Sequence, residues 1–162
     1  LRSVAISDVD LGHLRCCVEL ARVALDNGDA PFGSILVGAD GRTLYEDHNR
    51  SGNGDLTQHP EFAIARWAAA NLAPVRRVRA TVYTSCEHCP MCAAAHAWVG
   101  LGRIVYATSA AQLNQWLAEW HAPTPPVAPL PITTVAPKAV VDGPAPALED
   151  EVKALYEAAY RP

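Results

Sequence analysis

From Asp8 to Asn27 the apolar residues Leu11, Leu14, Val18, Ala21 and Leu25 recur at the spacing of a helix with one apolar face, and Asn27-Gly28 supplies a stop. The pattern then shortens. Phe32 to Val37 and Thr43 to His48 are brief runs separated by Gly38-Ala39-Asp40-Gly41, which predicts a β-hairpin. Arg50 to Gln58 is polar and glycine-rich and reads as a loop leading to His59. Two further helices are predicted, one from Pro60 to about Leu72 and one from Pro90 to about Val99. Each opens on a proline, which the first helical turn tolerates because the missing N–H has no partner there. Strands at Thr81 to Thr84 and Ile104 to Ala107 flank the second of these helices. A strand, helix and strand joined by short loops predicts a right-handed crossover with parallel pairing. Residues 110 to 121 form another helix candidate, with Trp116 and Trp120 four apart. Pro123 to Pro146 is proline-rich with one strand candidate at Ile132 to Val135, and Leu148 to Tyr160 closes as a helix.

These elements predict an α/β fold: a three-layer α/β/α sandwich around a mixed sheet of about five strands. With 162 residues, half of them hydrophobic, residues 1–162 make one cored domain. Its proline-rich segment and C-terminal helix, residues 123–162, are expected to pack on or near the active site. Thirteen Lys and Arg against seventeen Asp and Glu leave a formal charge of -4, which argues against a field that captures nucleic acid. Arg76, Arg77 and Arg79 read as a solvated turn. No apolar run reaches the roughly 18 residues that span a bilayer, and the N-terminus lacks a signal-type pattern, so a cytoplasmic protein with no membrane partner is expected.

Five cysteines are an odd number, and two of them form a C-x-x-C better explained by metal than by disulfides. Cys89-Pro90-Met91-Cys92 follows His59-Pro60-Glu61 at a distance. One imidazole and two thiolates hold Zn2+ tetrahedrally with a fourth position open, as catalytic zinc requires. Cys89 and Cys92 lie on one side of a first helical turn, whose partial positive charge favours thiolates. His59 comes from the start of a different helix, so the two helix starts must face each other across a crevice at the sheet edge. Zinc lowers the pKa of a water from about 16 toward roughly 7. Replacing an amino group on an aromatic ring also needs one proton on a ring nitrogen and another on the departing ammonia, and Glu61 is the natural shuttle. A structural zinc completed by His88 or Cys86, or a redox dithiol, are the competing readings. Three evident ligands with a Glu beside the histidine weigh against both. His13, His48, His96 and His121 read as surface or packing residues.

H-x-E followed by C-x-x-C on two such helices resembles the cytidine deaminase superfamily. Pro31 to Val37, His48-Asn49-Arg50, Asp55 to Glu61 and Thr84 to Cys92 look like its guanine deaminase and tRNA adenosine deaminase branch. The resemblance implies that His59, Cys89 and Cys92 bind zinc, that Glu61 moves protons, that Asn49 hydrogen-bonds the base, and that Phe32 walls the pocket. It also implies parallel last strands and a homodimer formed across helices beside the site. Pro60 removes a backbone donor that many relatives offer the base, and His88 stands where proline is usual. Thr108-Ser109-Ala110-Ala111 lacks the acidic residue guanine deaminases tend to carry, so its role would pass to Glu119. Tyr156 and Tyr160 are expected in the core rather than as a lid. The implied activity is hydrolytic deamination of a small free base, guanine first, with isoguanine, cytosine or an amino-s-triazine such as ammeline as related rings. The alternatives are tRNA adenosine deamination and a non-catalytic, zinc-stabilised interaction domain.

Overall fold

The structure, a computed structural model, describes residues 5–162. Helix α1 (Asp8–Asp26) begins at a closed capping box: Asp10 N–H donates to the Ser7 hydroxyl and Ser7 N–H donates to the Asp10 carboxylate. Its apolar stripe of Leu14, Cys17, Val18 and Ala21 is buried against β1 (Gly33–Val37). The approach is so close that a Cβ at Gly33 would lie 2.4 Å from the Cys17 carbonyl oxygen, which only glycine avoids. Strand β1 turns into β2 (Thr43–His48), and the predicted hairpin is present.

Helix α2 (Pro60–Asn71), a short α3 (Pro74–Arg77), β3 (Thr81–Cys86), α4 (Pro90–Val99) and β4 (Ile104–Thr108) follow. Helix α5 (Ala110–Glu119), α6 (Ile132–Val135), β5 (Val141–Asp142) and α7 (Glu149–Tyr160) complete the chain. The sheet order is β2-β1-β3-β4-β5, with β1 antiparallel to both neighbours and β3, β4 and β5 mutually parallel. Alternation along the strands sends Ile35, Val37, Tyr83 and Val105 into the core under α1, α5 and α7. Leu36 and Val82 point the other way, under α2. The expected three-layer sandwich with a five-strand mixed sheet is thus the observed fold. Each fully buried Leu or Ile in these two layers contributes on the order of 1.5–3 kcal/mol.

One strand assignment is corrected. Ile132–Val135 is a helical turn, not a strand, although Ile-Thr-Thr-Val has strand-like composition. A carboxylate from another loop accepts the Ile132 N–H and so occupies the backbone donor a strand would need. The fifth strand is Val141–Asp142, two residues beside β4, too short to show any period. Helix α3 was also unforeseen. Within it Arg77 is structural: its guanidinium donates to the carbonyls of Leu72 at 2.8 Å, Ala69 at 2.9 Å and Val99 at 3.4 Å, closing the ends of α2 and α4. No helix among the described residues is long and apolar enough to cross a membrane.

A polar cluster ties the first helix to the far edge of the sheet. Arg103, on the turn into β4, donates to Asp142 at 2.7 Å and to both carboxylate oxygens of Asp10 at 2.9 and 3.1 Å. The Tyr83 hydroxyl adds a 2.7 Å bond to Asp10. Burial pushes the Asp10 carboxyl upward, but Arg103, the Ser7 N–H and Tyr83 outweigh it and hold the group well below the usual carboxylate range.

Candidate active site

The loop after β2 is shaped to deliver His59. The Asp55 carboxylate accepts from Thr57 N–H at 3.0 Å, from the Thr57 hydroxyl at 2.7 Å and from Gln58 Nε2 at 2.9 Å, an Asx-type turn. Arg50 N–H closes the loop on the Gln58 carbonyl at 3.0 Å. His59 then caps α2 with Pro60 at its first position, and Cys89 caps α4 with Pro90 in the same place. The two proline-started helices meet near the C-terminal end of β3, where open α/β sheets leave a crevice.

His59 Nδ1 lies 3.5 Å from Cys89 Sγ and 3.6 Å from Cys92 Sγ. Zn–S bonds of about 2.3 Å and a Zn–N bond of about 2.05 Å at a tetrahedral angle require an N···S separation of about 3.6 Å. The imidazole therefore already stands at the separation from each thiol that zinc imposes. Among the described residues no other group of three His, Cys, Asp or Glu converges in this way. The donor set and spacing fit Zn2+.

The two thiols share a proton unequally. A hydrogen bond from Cys92, reinforced by His59, pulls Cys89 down to about 4 against the effect of burial, while the same bond and burial push Cys92 up. His59 is raised by its hydrogen bond to Cys89 and by the nearby Glu61 charge, against burial. Without metal Cys89 is thus the thiolate and Cys92 keeps its proton, while His59 is shifted toward its protonated form. Zinc uptake is expected to release roughly one to two protons per ion, with affinity rising as pH rises. Calorimetric titration in two buffers of different ionisation enthalpy counts them, and a count of zero would contradict this charge assignment.

Glu61 sits one residue into α2, 6% exposed. The Thr84 hydroxyl donates to its Oε1 at 2.7 Å, and the Ser34 hydroxyl lies 2.8 Å from Thr84 Oγ1 and 3.2 Å from Oε1. Ser34 and Thr84 are register partners on β1 and β3. One carboxylate oxygen is therefore anchored and Oε2 is left to work. Burial raises the Glu61 pKa, opposed by the His59 charge and the Thr84 hydrogen bond.

An open cleft of about 530 Å³ rises above this floor. Phe32 and Asn49 line one side, Leu113 and Asn114 of α5 another, and residues 123–130 with Tyr160 the outside. Among the described residues no Lys or Arg lines it. Phe32 lines the cleft and also packs on Tyr156 at 5.6 Å between ring centroids. Asn49 is placed by its N–H, which donates to the Phe32 carbonyl at 2.9 Å. Tyr156 is a core residue, fully buried with its hydroxyl 3.1 Å from Thr108 Oγ1, whereas Tyr160 reaches the cleft.

One expectation fails here. Glu119 is exposed near the end of α5, accepts from Gln115 Nε2 at 3.1 Å, and does not line the cleft. Its place on the last turn of α5 points it along the surface. His88 is buried outside the cleft, its ring edge-on to His96 at 5.5 Å and both ring nitrogens without a partner. Burial, with the neighbouring His96, keeps His88 neutral, so it offers the metal and the base nothing.

Sequence reasoning missed Ser34, Thr84, Glu87 and Asn114. Ser34 and Thr84 were visible as polar residues at inward strand positions. Glu87 accepts the Ala110 N–H on one carboxylate oxygen and the Ile132 N–H on the other, both at 3.0 Å. It thereby fastens both ends of the segment that forms the outer wall.

Comparison with known proteins places this geometry. The family described as the cytidine and deoxycytidylate deaminase zinc-binding region matches residues 8–108. A probable cytosine deaminase of Schizosaccharomyces pombe is 34% identical over 111 residues, 67% of this chain and 66% of the relative. A tRNA-specific adenosine deaminase of Agrobacterium fabrum is 37% identical over 87 residues, 53% of this chain and 57% of the relative. The chain thus spans about two thirds or less of these two curated relatives. A guanine deaminase structure from Nitrosomonas europaea superposes with a TM-score of 0.68 at 19% identity, covering 98% of this chain and 86% of that one, a likeness of fold. The chain belongs to the cytidine and deoxycytidylate deaminase family.

Proposed function

We propose that this family member hydrolytically deaminates a small, uncharged, free amino-heterocycle and releases ammonia. The observation that carries the reading is the cleft itself: a buried carboxylate stands beside three candidate metal ligands on the floor, and no Lys or Arg among the described residues lines the walls. A nucleotide or an RNA stem brings phosphate charge that a binding site answers with Lys or Arg. A neutral ring needs only apolar walls and a few placed polar groups, in a space of this size.

When bound, zinc supplies a water acidic enough to attack at neutral pH. Glu61 takes a proton from the attacking water on Oε2 and delivers it to the ring nitrogen beside the amino-bearing carbon. A second proton passes through the same carboxylate to the amino group. The C–N bond breaks, ammonia leaves, and the carbon keeps the oxygen as a carbonyl. The anchored Oε1 holds the carboxylate in place through both transfers.

Guanine, isoguanine, cytosine and ammeline remain the candidate rings; relatives named cytosine and guanine deaminase support the class. The Agrobacterium relative favours tRNA adenosine deamination instead, and the lack of Lys and Arg among the described residues of the cleft speaks against it. The homodimer implied by the resemblance belongs to this reading; Trp98 on α4, 91% exposed, supports a covered face there. Ammonia release by the zinc-loaded protein should appear with one or more free bases and change little between about 50 and about 200 mM salt. Turnover confined to a tRNA anticodon stem, falling steeply with salt, would instead establish the second reading. A silent panel with one zinc per chain would return the interaction-domain alternative.

A further inference from the structure

Resting on the free-base reading above, we infer that Asn114 is a specificity-determining residue: its Oδ1 accepts a ring N–H while Asn49 Nδ2 donates to the adjacent ring carbonyl. The substrate is then an amino-oxo heterocycle with a lactam edge, not a ring carrying an amino group alone.

The partners of each amide decide which end faces the cleft. Ser51 N–H can only donate, so the Asn49 atom 2.8 Å from it is Oδ1, and the Ser51 hydroxyl bonds the same oxygen. Nδ2 is the end left over. The Ala110 carbonyl can only accept, so the Asn114 atom 2.9 Å from it is Nδ2, and here Oδ1 is left over. Both residues line the cleft, Asn49 from the end of β2 and Asn114 from α5. One wall therefore offers an amide donor and the other an amide acceptor.

Several other polar groups in the cleft are committed elsewhere. The Thr57 hydroxyl donates to Asp55 at 2.7 Å, and both Glu87 oxygens accept backbone N–H groups. Glu61 is occupied with proton transfer. With Glu119 outside the cleft, no carboxylate among the described lining residues is left for a ring N–H, and of the neutral acceptors there, the Thr124 and Tyr160 hydroxyls included, Asn114 Oδ1 is the one whose orientation a backbone bond fixes. Cytosine and guanine each carry a carbonyl beside a ring N–H; adenine has no ring carbonyl. A site built to hydrogen-bond such an edge rejects an analogue that lacks it, because its own polar groups are left unpaired.

The test uses two pairs of bases, cytosine with 1-methylcytosine and guanine with 1-methylguanine, plus adenine. The zinc-loaded wild type is compared with Asn114→Leu, which removes the acceptor, and Asn114→Asp, which keeps one. For the pair that turns over, the wild type should prefer the unmethylated member by about 100-fold in kcat/KM, and adenine should be inert. Asn114→Leu should lose most of that preference through a raised KM, with zinc content and the pH profile of kcat unchanged. Asn114→Asp should retain it. An undiminished preference in Asn114→Leu, with the wild type active, would overturn the role of Asn114 and leave the deaminase standing. Efficient adenine turnover would overturn the lactam requirement, and a wild type silent on every base would overturn the free-base reading together with it.

Discussion

Glu61→Gln is expected to give a folded, zinc-loaded protein whose ammonia release is lower by about 10³–10⁴-fold. The substitution is nearly isosteric, and the Thr84 hydroxyl can donate to the glutamine carbonyl as it does to Oε1. What changes is the working end. An amide nitrogen there donates only, so it can neither take a proton from the attacking water nor hand one to the ring. Both transfers pass through this one group, so no second residue inherits either. His59, Cys89 and Cys92 are untouched, and metal analysis should still find one zinc per chain. Stability should hold or rise, because a neutral amide is cheaper to bury than a carboxylate. A loss below about tenfold would move the proton transfers to another group.

Arg103→Ala should be the most destabilising single change away from the site. It withdraws a guanidinium from two carboxylates whose side chains are 7% and 1% exposed, those of Asp10 and Asp142. Breaking a buried pair from one side costs about 3–5 kcal/mol, and Arg103 is itself only 23% exposed, so about 3 kcal/mol is expected. The melting midpoint of a chain this size should fall by roughly 6–12 °C. The pH dependence follows from the depressed Asp10 group. A depressed carboxylate stabilises the fold above its unfolded value near 4 and loses that contribution as pH falls through the folded value. In the variant the guanidinium's share is lost, and Asp10 is held down less, by the Ser7 N–H and the Tyr83 hydroxyl alone against burial. The gap between the two proteins should therefore be widest at neutral pH and narrow in acid; a gap independent of pH would mean that Arg103 acts through packing alone.

The fold was legible wherever a period ran long enough to register. Helix α1 carries five apolar positions over five turns, and the strand-helix-strand order around α4 allows essentially one handedness. Val141–Asp142 was invisible because two residues have no period, and Ile132–Val135 misled because its composition is a strand's while its first N–H is claimed by Glu87. The metal ligands and Glu61 were legible because chemistry restricts which residue types can stand there. The walls were not, since proline-rich chain adopts whatever path its anchors set. Asn114 is the clearest case: an asparagine four residues into a helix is unremarkable until Ala110 turns its amide and the fold brings it opposite Asn49.

Glu87 gives the outer wall a particular kind of independence. The segment between Ala110 and Ile132 is stapled at its two ends to a single carboxylate, two residues ahead of Cys89. Past α5, whose Trp116 and Leu117 are buried, residues 123–130 can lengthen, shorten or change composition while the floor keeps its geometry. The segment is in effect an interchangeable panel: a lineage can acquire a new ring preference by rewriting it, and a protein engineer can graft one from a relative between the same two anchors without touching a catalytic side chain.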